Sequence, residues 1–128
     1  HGFRPVLEKH ICDVIMPDIT RCGGPSEMKR IATMGEAYGV LVAPHNPNGP
    51  LSTLASAHVC ASIPNFFRCE FMVNDVPWRD EVITHPLDVR DGFLHLSDRP
   101  GLGVDLIEEE LEKHSGILGL KEKENFYV

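Results

Sequence analysis

The chain has 128 residues, with 12 Lys plus Arg against 19 Asp plus Glu and a formal charge of −7. That balance lacks the clustered cations a nucleic-acid-binding face needs to displace counterions from phosphates, so no nucleic-acid partner is expected. The apolar runs are only a few residues long, far short of the ~20 that cross a bilayer, so no membrane partner is expected either.

Residues 3–11 read as the end of a helix, because Val6, Leu7 and His10 recur at helical spacing and Pro5 is tolerated only in a first turn. Residues 13–18 predict a short apolar strand buried on both faces. Gly23-Gly24-Pro25 then breaks the chain and places Pro25 at the start of a helix over 25–38. Met28, Ile31, Ala32 and Gly35 form its inward stripe, Glu27 sits at its positive end, and Gly39 stands where a helix-ending glycine belongs.

The unit repeats. Residues 40–43 predict a second strand, followed by the loop Pro44-His-Asn-Pro-Asn-Gly-Pro50. Leu51, Leu54, Ala55, His58, Val59 and Ser62 space out a second helix, with His58 on its core-facing stripe, and residues 65–71 read as a third strand. Strands alternating with helices at this spacing call for a parallel sheet with right-handed crossovers.

After Met72 the pattern changes. Residues 87–96 carry Asp91-Gly92 between two short extended runs, the signature of a hairpin with a type I′ turn. A loop over 99–103 leads to a charged helix over 106–114, ended by Gly116 and Gly119. Residues 121–128 form a charged surface tail.

Cys12, Cys22, Cys60 and Cys69 form no CxxC pair, which argues against a thiolate zinc site. They are expected to be reduced, acting as small apolar side chains in a cytoplasmic protein. The seven histidines show neither HxxxH nor HExxH spacing.

A three-stranded parallel sheet leaves both edges unpaired, and helices cover faces rather than edges. Such units belong to a larger doubly wound sheet or to a (β/α)₈ barrel of ~250 residues. The chain also begins without methionine, in what reads as mid-helix. It is therefore expected to be a piece of a larger protein.

Several motifs in order carry a family resemblance: Asp18-Ile-Thr-Arg-Cys-Gly-Gly-Pro-Ser-Glu27, Glu36-Ala-Tyr-Gly39, Ala43-Pro-His-Asn-Pro47, Gly49-Pro50, Ile63-Pro-Asn-Phe66 and Glu70. Trp78-Arg-Asp80 and Asp98-Arg-Pro-Gly-Leu-Gly-Val-Asp105 continue it. The set resembles the C-terminal third of the enolase superfamily, in the mandelate racemase and muconate lactonizing enzyme branch, and within it the galactonate-dehydratase-like acid-sugar dehydratases.

The resemblance implies an α/β fold: residues 1–72 as the last three strands and helices of a TIM-like barrel, and residues 73–128 as a segment returning to an α+β capping domain. It implies a Mg²⁺ cofactor whose ligands lie upstream of this chain, a small-molecule sugar acid as substrate, and a homo-oligomer when intact. The remainder of the barrel, or a companion chain, would complete the fold.

Asp18, His45 and Glu70 fall at the C-terminal ends of the three strands, where barrel enzymes place their chemistry. On adjacent parallel strands Asp18 and His45 come within hydrogen-bond reach, and a carboxylate there orients the imidazole and stabilises its protonated form. The resemblance makes that pair the base for the proton next to a substrate carboxylate, with loss of a β-hydroxyl completing a lyase reaction. It makes Glu70 a hydrogen-bonding partner of the substrate, protonated if it is to donate to an oxyanion, and Trp78 a candidate pocket wall.

The residues alone leave other roles open. Asp18 equally suits a cap on the turn that follows it, His45 a structural loop histidine, and Glu70 a solvated strand end or ion-pair partner. Two other functions stay open as well. One is a racemase or epimerase of the same superfamily. The other is a non-catalytic partial barrel held by a partner chain or by self-association, and the isolated 128-residue chain is expected to be inactive.

Overall fold

A proline sets the start of each of the first three helices, and the chain then folds back onto a pair of very short strands. In the computed structural model, which describes residues 2–73 and 76–115, the order is α1 (Arg4–Glu8), β1 (Val14–Ile15), α2 (Pro25–Ala37), β2 (Leu41–Val42), α3 (Pro50–Cys60), β3 (Val89–Arg90), β4 (Phe93–Leu94) and α4 (Glu108–Ser115). No described helix is long and apolar enough to cross a membrane.

Helix α1 stops earlier than its spacing predicts. His10 takes a left-handed φ of 48°, its N–H reaches the Leu7 carbonyl, and the Ile11 N–H reaches back to Val6. That is the bond pattern of a Schellman cap, here with histidine in the position glycine usually holds. Helix α2 ends the same way on Gly39 (φ 69°), with Gly39 N–H bonded to Glu36 and Val40 N–H to Gly35. Its buried residues are Met28, Ile31, Ala32 and Gly35, the predicted stripe. At Gly35 the helix approaches the sheet so closely that an added Cβ would lie 3.3 Å from the Ile15 side chain and 3.3 Å from the Val40 carbonyl.

Strands β1 and β2 pair in parallel, Val14 with Leu41 and Ile15 with Val42. The predicted third strand is reduced to one parallel bridge, Val42 to Phe66, made by Val42 N–H to the Asn65 carbonyl and Phe67 N–H to the Val42 carbonyl. Proline explains much of the shortening: Pro17 and Pro44 follow β1 and β2 and offer no N–H to a ladder. The chains stay in register beyond them, since His45 N–H still reaches the Pro17 carbonyl and Glu70 N–H the Pro44 carbonyl.

The strands are not buried on both faces. Ile15 and Val42 join the core, while Met16, Leu41 and Phe66 are exposed. Helices α2 and α3 pack on one side, and among the described residues no layer covers the other. The core consists of Leu7, Ile15, Ile19, Met28, Ile31, Ala32, Val40, Val42, Val59 and Ile63.

Helix α3 is rotated relative to its predicted stripe. Thr53, Ser56 and Cys60 are buried with Leu54 and Val59, whereas Leu51 and His58 are only half-buried, so His58 is not a core residue. The rotation is possible because Thr53 has polar partners inside: its hydroxyl accepts from Asn46 Nδ2 and donates to the Gly49 carbonyl.

The hairpin forms as read, with Val89 opposite Leu94 and both turn residues at positive φ, Asp91 at 53° and Gly92 at 81°. Buried Val82 and Ile83 then zip against the segment leading into α4, through the Ile83–Leu106 bridge and the Ile107 N–H to the Val82 carbonyl. Helix α4 starts two residues later than predicted, with Glu108, Glu109 and Glu110 in its first turn and Lys113 and His114 in its last, each favourable for the helix dipole. The predicted stops at Gly116 and Gly119 and the tail at 121–128 lie outside the described residues.

Candidate active site

The strand ends place three polar side chains side by side. Pro17 and Pro44, both fully buried, precede Asp18 and His45, and their fixed φ limits how the chain leaves each strand. His45 Nδ1 lies 3.0 Å from Asp18 Oδ2. Its Nε2 lies 4.0 Å from Glu70 Oε2. The imidazole thus stands between two carboxylates, one on each ring nitrogen.

Asp18 is buried and heavily hydrogen-bonded. Its Oδ1 accepts from the Thr20 backbone N–H at 2.9 Å and the Thr20 hydroxyl at 2.7 Å, so the residue does close the following turn. Asn48 Nδ2 lies 3.3 Å and 3.2 Å from its two oxygens. Burial alone would push this carboxyl up, but the donors from Thr20, His45 and Asn48 outweigh it and hold it well below the usual carboxylate range. An ionised carboxylate only accepts, so Nδ1 of His45 carries the proton in the neutral ring and Nε2 is left as the free base. The His45 side chain is 43% exposed, so that nitrogen is reachable.

Glu70 is held differently. Its Oε2 accepts the Asn46 backbone N–H at 2.8 Å, and Asn46 Nδ2 bonds the Glu70 carbonyl at 3.1 Å. Oε1 is the carboxylate oxygen that Asn46 leaves unengaged.

Trp78 is not brought to this cluster by its ring contacts. It stacks on His114 of α4, with ring centroids 4.4 Å apart and planes at 10°. Its neighbour Arg79 reaches the site instead, donating from Nη1 to the Asn48 carbonyl at 3.1 Å. Asn46, Asn48 and Arg79 are residues the sequence reading missed. Its available signal was the loop Pro44–Pro50 itself: three prolines remove backbone donors there, so side-chain amides must supply them.

Asp18 and Glu70 are already engaged by His45, Thr20, Asn48 and Asn46, and they face each other across an imidazole, so this set does not fit a Mg²⁺ ligand shell. Among the described residues, three potential ligands converge only at Glu81, Glu110 and His114, which share no residue with the dyad.

Comparison with known proteins gives this arrangement a context. Residues 1–110 match the family described as enolase C-terminal domain-like. The D-xylonate dehydratase of Haloferax volcanii is 34% identical over 113 residues, covering 88% of this chain and 27% of the relative. A D-galactonate dehydratase family member of Streptomyces bingchenggensis is 36% identical over 105 residues, covering 80% and 25%. The crystal structure of a mandelate racemase/muconate lactonizing enzyme-like protein from Rubrobacter xylanophilus superposes with a TM-score of 0.81 at 39% identity, over 88% of this chain and 29% of that one. The chain thus spans about a quarter of the length of the curated relatives it matches. The ordered motifs, the parallel strand–helix units and these matches agree: the chain belongs to the enolase C-terminal domain-like family of the enolase superfamily, on its mandelate racemase/muconate lactonizing enzyme side.

Proposed function

We propose that the chain is the base-bearing part of an acid-sugar dehydratase. The observation that carries this reading is the His45–Asp18 pair, with Nδ1 committed to a buried carboxylate and Nε2 open. Two of the relatives are named as dehydratases of sugar acids, which supports the same class.

In this reading His45 Nε2 removes the proton from the carbon next to the substrate carboxylate, and Asp18 stabilises the resulting imidazolium. The electron pair left on that carbon forms a double bond to its neighbour as the β-hydroxyl departs, and His45 passes its proton to that hydroxyl oxygen, so that water leaves and the neutral imidazole is restored. Glu70 hydrogen-bonds the substrate from the opposite side of the imidazole through Oε1. A Mg²⁺ ion, held by residues outside this chain, would offset charge developing on the substrate carboxylate.

The test is His45→Asn in the full-length protein, with α-proton exchange in D₂O and dehydration of D-xylonate and D-galactonate followed in parallel. Both rates are expected to fall by about 10²–10⁴-fold, the usual scale of a general base. Unchanged rates would remove His45 from the mechanism. Exchange without dehydration in the unsubstituted protein would transfer the same base to a racemase or epimerase.

A further inference from the structure

Asp18 presents two oxygens in a buried setting, and the direction of the one facing His45 decides how the imidazole is held. Thr20 fixes Oδ1 from the strand's own turn. Arg21 Nε lies 3.6 Å from Oδ2, on a side chain that is 82% exposed and so contributes little. The remaining donor is Asn48 Nδ2, which spans both oxygens from the loop after β2. His45 and Asn46 at the start of that loop are held by Pro17 and Glu70, but Asn48 lies beyond them and the loop's prolines donate nothing.

Its anchor comes from the far segment. Arg79 is buried, its guanidinium carbon sits 5.7 Å from the Phe71 ring centre, and its Nη1 bonds the Asn48 carbonyl. The chain of contacts is continuous: Arg79 to the Asn48 backbone, the Asn48 amide to Asp18, Asp18 to His45 Nδ1.

We propose that Asn48 is a positioning residue for the Asp18–His45 pair, and that Arg79 holds it in place. The amide keeps the carboxylate in the plane that points Oδ2 at Nδ1, and it replaces the water a rotated carboxylate would recruit. The segment after residue 72 thereby helps set the geometry of the base. The kinetic half of this inference rests on the dehydratase reading; the structural half does not.

The experiment uses the full-length protein labelled with ¹⁵N-histidine. In Asn48→Ala the His45 Nδ1–H is expected to exchange with water about 10-fold faster, the equivalent of one lost hydrogen bond. Asn48→Leu, which keeps about the same bulk and removes the donor without adding charge, should show the same loss. Arg79→Lys, which keeps the charge and shortens the reach, should show a smaller change of the same sign. With a sugar acid as substrate, kcat for Asn48→Ala should fall by a similar factor while KM stays within about twofold.

Unaltered Nδ1–H exchange in Asn48→Ala overturns the inference, and so does a loss confined to KM. If the exchange responds as expected while the unsubstituted protein turns over no sugar acid, the positioning role stands and the dehydratase reading falls.

Discussion

His45 has a carboxylate on each ring nitrogen, and the two differ in what else restrains them. Glu70 keeps one oxygen free and is partly exposed, whereas Asp18 is buried under four protein donors. The difference has a pH consequence. Burial opposes ionisation of Asp18, but the bonds from Thr20 first, then His45 and Asn48, hold its carboxyl below the ordinary range. A carboxyl lower in the folded than in the unfolded chain, where it lies at about 3.9, contributes stability above that value and loses it as the pH falls toward the folded pKa. Urea midpoints of the full-length protein should therefore decline between about pH 5 and pH 2, and the decline should be shallower in Asp18→Asn. Equal slopes would mean the carboxylate contributes nothing differential. Asp18 and His45 were legible because each ends an apolar run, whereas Glu70, between Arg68 and Phe71, was legible through its place near the end of the third predicted strand and the family resemblance. Asn48 and Arg79 were not, because 31 positions separate them and a side chain–carbonyl bond over that span leaves no periodic trace.

Among the elements, local chemistry predicted ends better than extents. Pro25 and Gly39 bound α2 as read, because proline at a helix start and glycine just past its end act within a few residues. Gly39→Ala keeps every contact yet puts a Cβ at φ 69°, so a loss of about 1 kcal/mol is expected, read as a lower urea midpoint with an unchanged slope. No atom lies within 4 Å of that Cβ, so a larger loss would have to come from something other than backbone strain. The shortened third strand and the rotated α3 were decided by tertiary partners. Phe66 has a strand on one side only, and Thr53 is drawn inward by Asn46, whose position depends on Glu70.

The molecule as a whole has a finished face and an unfinished one. Helices α2 and α3 close the core over Ile15 and Val42, while Met16 and Leu41, on the opposite side of the strands, remain 52% and 37% exposed. The expectation of strands buried on both faces does not hold among the described residues, where only the side carrying Ile15 and Val42 is covered. Burying apolar surface contributes about 25 cal/mol per Å², so large side chains left exposed along the strands favour any arrangement that covers them. In the TIM-like barrel that the family resemblance implies, further strands would do so. The 128-residue chain produced alone should instead cover them by self-association and show no dehydratase activity. Sedimentation should give a concentration-dependent mass above that of one chain, and Met16→Lys with Leu41→Lys should shift it toward the monomer. A monomer at every concentration, with no binding of a hydrophobic dye, would show that this face is not the one the rest of the barrel completes.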